Sequence, residues 1–167
     1  MNLTQAALRT ALATAGLPAS LWQLPDVSYE TVSEAWVRDN WTAWLEARPA
    51  DLVVFRDAGG KRIRSRPLWI AEASDCDNLA LGVVAHGDVG NALASLHLPA
   101  VRGGLAFGVL FYVAETARPG NFGVAGGHAI NWFVTHDGAV GFFEPGVGEP
   151  TDLNTTERST AWFGLAA

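Results

Sequence analysis

The stretch from Gly126 to Pro145, Gly-Gly-His-Ala-Ile-Asn-Trp-Phe-Val-Thr-His-Asp-Gly-Ala-Val-Gly-Phe-Phe-Glu-Pro, decides how the chain folds. Two glycines open it, and a run of branched and aromatic residues follows from His128 to Thr135. Asp137-Gly138 then turns the chain into a second run, Ala139 to Glu144. Runs of this kind on either side of an Asp-Gly pair signal a β-hairpin. Its register depends on the turn. A two-residue loop, Asp137-Gly138, pairs His136 with Ala139, sets Glu144 opposite Asn131 and leaves Asn131 as the group that could orient His128. A three-residue loop, His136-Asp137-Gly138, pairs Thr135 with Ala139 and sets Glu144 opposite Ile130. His128 is then the diagonal neighbour of Glu144 on the same face. The second arrangement is the expectation, because it puts Gly138 where a positive φ is required.

Working outward, Gly104 to Glu115 is rich in Val, Phe and Leu and reads as a buried strand, followed by a loop from Arg118 to Gly126. Asp51 to Asp57 reads as a strand turned by Asp57-Ala58-Gly59-Gly60, with Lys61 to Trp69 returning extended. Near the N-terminus, Leu8 and Leu12 stand four apart among alanines from Thr4 to Ala15, and Gly16 stops this short amphipathic helix. Thr31-Val32-Ser33-Glu34 has the spacing of a capping box, and Trp36, Val37, Trp41, Trp44 and Leu45 follow at helical period before Pro49. The tryptophans of that helix are read as core. The segment from Gly87 to Leu98 is ambiguous, with a second helix around Asn91 to Leu96 as one reading. From Asp152 the tail is polar until Trp162 and Phe163, which are expected to tuck back onto the domain. Helices first and antiparallel strands later give an α+β fold. We expect one domain over 1–167, with a helical N-terminal part at 1–50 and a core at 69–152.

Composition removes several function classes. The 167 residues carry a formal net charge of -6 and a pI near 5.1, unlike a nucleic-acid or membrane-surface binder. The single basic run, Lys61 to Arg66, reads as a solvated strand or loop face. One cysteine leaves no disulfide framework and no paired Cys/His spacing for zinc. The N-terminus lacks the features of a signal peptide and no segment approaches a membrane span, so a soluble, cytoplasmic chain is expected, including one that is phage-encoded or delivered.

The one cysteine lies in Ser74-Asp75-Cys76-Asp77-Asn78-Leu79-Ala80, where short polar residues precede an apolar helical run to Val84. A helix start favours a thiolate through its free N–H groups and positive dipole end, and the same N–H groups could bind an oxyanion. Asp75 and Asp77 oppose this, so a positive partner is needed. His128 is the candidate, with Glu144 to hold its second nitrogen. His86, His97 and His136 lack ligand spacing, and His136 reads as a turn residue.

These pieces, the acidic surround of Cys76, Gly127-His128-Ala129-Ile130-Asn131 and Phe142-Phe143-Glu144-Pro145, resemble a papain-like cysteine protease family. That family is typified by the C-terminal domain of a mushroom agglutinin and has bacterial and phage relatives. The resemblance spans about residues 69 to 152. It implies a nucleophile helix packed on an antiparallel sheet that carries the His and Glu strands, with Cys76 as nucleophile, His128 as base and Glu144 as orienting carboxylate. It further implies possible calcium dependence through Asp75, Asp77 and Asn78, the last standing where an aspartate is commoner. No other cofactor is required. Trp69, seven residues before Cys76, walls the cleft or fills the core, and Asn131 supports the site. The expected function is therefore hydrolysis of a peptide or amide bond in a peptide or protein substrate through a thioester. The alternatives are a deamidase or acyltransferase with the same triad, or a catalytically silent virion or effector protein.

Overall fold

The computed structural model describes residues 1–47, 54–56, 62–64, 79–87, 103–116 and 125–166. Its centre is a six-stranded mixed sheet. In chain order the strands of the described residues are β1 (Asn2–Thr4), β2 (Trp22–Gln23), β3 (Ser28–Glu30), β4 (Val54–Arg56) and β5 (Arg62–Arg64). They continue with β6 (Gly104–Leu105), β7 (Phe107–Ala114), β8 (Gly126–Val134), β9 (Val140–Glu144), β10 (Glu149–Thr151) and β11 (Phe163–Ala166). The large sheet runs β10-β9-β8-β7-β11-β2, antiparallel except for the β11–β2 pair. A smaller sheet, β1-β3-β6, stands beside it, and β4 pairs with β5. The helices are α1 (Gln5–Thr14), α2 (Glu34–Ala47), α3 (residues 79–87) and α4 (Thr155–Ser159). The α+β class is thus observed.

The central strands are apolar on both sides because both faces of the sheet are covered. On one face Leu110, Tyr112, Ile130, Trp132, Val134 and Phe142 pack with Leu8 and Leu12 of α1. On the other, Phe107, Val109, Ala129, Phe133 and Phe143 pack with Val37 and Trp41 of α2 and with Ala80, Val83 and Val84 of α3. Strand alternation assigns consecutive residues of β8 to opposite faces. Asn131 ties the second face together, its side-chain amide donating to the Ala80 carbonyl at 2.9 Å and the Gly108 carbonyl at 3.1 Å. Asn40 does the same between helices, donating to the Val83 carbonyl and meeting His86 Nδ1 at 2.9 Å.

The helix ends differ in detail from the expected caps. Thr4 caps α1, accepting from the Ala7 N–H. For α2 it is Ser33, rather than Thr31, whose hydroxyl accepts the Trp36 N–H at 3.0 Å. Thr31 is buried instead, its hydroxyl 3.0 Å from the Met1 carbonyl and 2.5 Å from His136 Nδ1. A partner distant in sequence therefore won over the local cap. Trp41 is in the core as expected, while Trp36 and Trp44 are half-buried. The tail does return, adding β11 to the sheet, yet it leaves Trp162 and Phe163 substantially exposed. Gly164 and Ala166 face the core in their place, and a β-carbon at Gly164 would stand 2.3 Å from the Trp22 ring. The possible helix at Asn91 to Leu96, the loop from Arg118 to Val124 and most of the Lys61 to Trp69 return lie outside the described residues. Among the described residues, no helix is long and apolar enough to cross a membrane.

Candidate functional site

The hairpin loop has three residues. Thr135 donates its N–H to the Ala139 carbonyl at 2.9 Å, the Gly138 N–H reaches the Thr135 carbonyl, and Gly138 has φ +85°. Val134 pairs with Val140 and Asn131 with Phe143, so Glu144 falls level with Ile130. Asp137 locks this turn: the Thr135 hydroxyl donates to its carboxylate, and that bond, followed by the Ala139 N–H, holds the carboxyl below its ordinary pKa. A carboxyl depressed in the folded state stabilises above its unfolded pKa, and that contribution is lost as pH falls through the folded value. Replacing Thr135 with valine should raise the Asp137 pKa toward the unperturbed range, read from its carboxyl carbon shift in an NMR titration. An unchanged midpoint would contradict this account of the turn.

The register brings His128 and Glu144 together. The Nε2 of His128 lies 2.6 Å from Oε2 of Glu144, with His128 1% and Glu144 2% exposed. The other carboxylate oxygen, Oε1, accepts the Gly146 N–H at 3.1 Å. Tyr112, directly across on β7, sets its ring edge-on to the imidazole at 5.7 Å and 66°. Both faces of the pair are therefore fixed: a carboxylate sets which nitrogen is engaged, and an aromatic ring sets the plane. With Nε2 engaged, proton exchange with any third group runs through Nδ1.

On the opposite face of the strand from this buried pair, apolar side chains are exposed. Gly126 and the exposed Gly127 begin β8 immediately before His128. The Trp162 ring lies over Gly127, 3.6 Å from where a β-carbon would stand. Trp162 is 51% exposed and rests against Phe111 at 6.2 Å, held by its own N–H to the Phe111 carbonyl. Phe163 and Val113 extend the exposed apolar surface. Nothing in the residue pattern announces this platform, since an aromatic pair in a short tail reads as buried filling.

Of the residues singled out from sequence, His128 and Glu144 meet. Asn131 points to the opposite face, where it holds α3 through the Ala80 carbonyl. Cys76, Trp69, Asp75, Asp77 and Asn78 lie outside the described residues. Among the described residues no group of three or more His, Cys, Asp or Glu side chains could hold a metal.

No family model matches the chain, and no curated protein matches its sequence. Solved structures do match in fold. A PSL1a–E64 complex is 23% identical with a TM-score of 0.58, covering 98% of this chain and 51% of its own. The Polyporus squamosus lectin bound to the human-type influenza-binding epitope Neu5Acα2-6Galβ1-4GlcNAc is 22% identical with a TM-score of 0.62, covering 98% and 49%. This chain thus spans about half the length of these lectins.

These findings correct the attribution to a papain-like cysteine protease family, and with it the peptide-hydrolysing function, its deamidase, acyltransferase and silent virion or effector alternatives, and the peptide or protein partner. The physical reason is that the motifs are short and local. Any hairpin of this register brings a histidine and a glutamate at these positions together, so their pairing specifies a hairpin before it specifies a reaction. What the likeness carries is architecture: this chain has the α+β fold found in about half of a Polyporus squamosus lectin.

Proposed function

We propose that the chain is a carbohydrate-recognition domain of lectin type, with Trp162 as its stacking platform beside Gly126 and Gly127. The observation that supports this most is the fold match over 98% of the chain to a lectin in complex with a sialylated trisaccharide. The local geometry agrees. A sugar ring presents an apolar C–H face, and an exposed indole on a rigid strand end receives it while two residues without side chains let the ring approach the backbone. His128, one residue further along the strand, turns to the opposite face, where it is buried with Glu144 and holds the strand end that carries the two glycines.

Calorimetric titration with Neu5Acα2-6Galβ1-4GlcNAc tests the reading. Binding that weakens about tenfold in Trp162→Ala, or ~1.4 kcal/mol, with the melting temperature nearly unchanged, supports it. An absence of binding at millimolar glycan removes it and assigns glycan recognition to the half of the lectins that this chain does not match. The complex with E64 makes E64 a second probe, followed by thermal shift and intact mass, the latter separating reversible from covalent capture.

A further inference from the structure

We propose that Trp41 of α2 is the positioning residue for the Glu144–His128 pair, acting through the four-residue turn that follows Glu144. This rests on the reading of the strand end that carries the pair as the binding site. Glu144 ends β9, paired with Glu149 of β10 where the chain turns from one strand into the next. Three contacts of Trp41 fix the chain at this turn. The Trp41 indole Nε1 donates to the Pro145 carbonyl at 2.9 Å, from a ring that is itself buried. The same ring occupies the space over Gly148, where an added β-carbon would stand 2.4 Å from it, and Gly148 takes φ +75°. It also meets Phe143, the residue before Glu144, at 6.3 Å and 64°. Trp41 thus touches the residue before Glu144, the residue after it, and the end of the turn.

The turn in turn aims the carboxylate. The Val147 and Gly148 N–H groups close onto the Glu144 carbonyl at 3.3 and 2.9 Å, and the Gly146 N–H holds Oε1, leaving Oε2 to His128. Only glycine adopts this φ without strain while leaving room for the indole. The geometry links a helix on one face of the sheet to a histidine on the other: indole N–H, Pro145 carbonyl, Gly146 N–H, Glu144, imidazole. A tryptophan needed only as core filling would make the ring contacts without the N–H bond, so the bond is the feature to remove.

The test uses the whole chain carrying Trp41→Phe, which keeps an aromatic ring and deletes the donor. Long-range proton–nitrogen spectra report Nδ1 and Nε2 of each histidine. The His128 nitrogens should move most of the way toward their values in Glu144→Gln, while His86 and His136 stay in place. His128 shifts that stay at their wild-type values in a folded Trp41→Phe protein would overturn the proposal. Should that variant not fold, Glu144→Gln answers the same question from the other end. The Trp41 indole N–H resonance should move in that variant, and an indole resonance left at its wild-type position would overturn the link equally. These readouts concern ring nitrogens and not ligand, so this proposal and the carbohydrate reading can each fail without the other.

Discussion

Replacing Gly108 with alanine is expected to cost about 4 kcal/mol or more, the range reserved for changes the fold cannot absorb. A β-carbon there would stand 1.9 Å from the Leu165 carbonyl oxygen and 2.8 Å from Trp132 Nε1. The first neighbour is backbone and cannot rotate away. Gly108 pairs with Ala166 across the β7–β11 ladder, and the Trp132 indole at the same spot donates to Val109 and Leu165 at 3.2 and 3.3 Å. Relief requires β11 to leave β7, which exposes Ala166 and opens the Trp22 side of the core. Urea denaturation should show the loss, and hydrogen exchange should locate it first at residues 163–166. A variant within about 1 kcal/mol of the parent, well below that range, would mean that β11 is not seated as described.

The second large effect is expected from Glu144→Ala. It removes the acceptor for both His128 Nε2 and the Gly146 N–H at a buried position, and stranding buried partners costs ~3 kcal/mol. For a chain of this length that corresponds to a melting temperature lower by roughly 10 °C. Glu144→Gln keeps an acceptor oxygen and should cost about a third as much, near the ~1 kcal/mol of one altered hydrogen bond. Equal losses in the two variants would show that the carboxylate charge, which glutamine lacks, dominates over the stranded partners and the space left by truncation.

The hairpin was legible because its information is local. Gly138 at the position needing positive φ fixed the loop, the loop fixed the register, and the register fixed that Glu144 would share a face with His128. The helices were legible for the same reason, through Leu8 and Leu12 and through the period of Trp36, Val37 and Trp41. The short strands β1, β2, β3 and β10 were not. Two or three residues carry no periodicity, and their pairing comes from partners far along the chain, such as Trp22 with Gly164. Thr31 passed for a cap because nothing local reveals that His136, 105 residues away, competes for its hydroxyl. Trp162 was misjudged because hydrophobicity alone does not say which way a residue turns just before a strand begins. The attribution to a protease family failed at a different level. It inferred a reaction from residues whose juxtaposition the hairpin explains.

The short parallel contact between β2 and β11 joins residues 22–23 to residues 164–165, nearly the full span of the chain. During synthesis the early residues must wait for that partner, since the β2 edge of the large sheet has nothing to pair with until residue 165 has left the ribosome. A nascent chain halted before residue 163 would hold the hairpin and its buried imidazole but leave one margin of the large sheet unsealed. For anyone dissecting the molecule, that makes β11 the poorest place to cut.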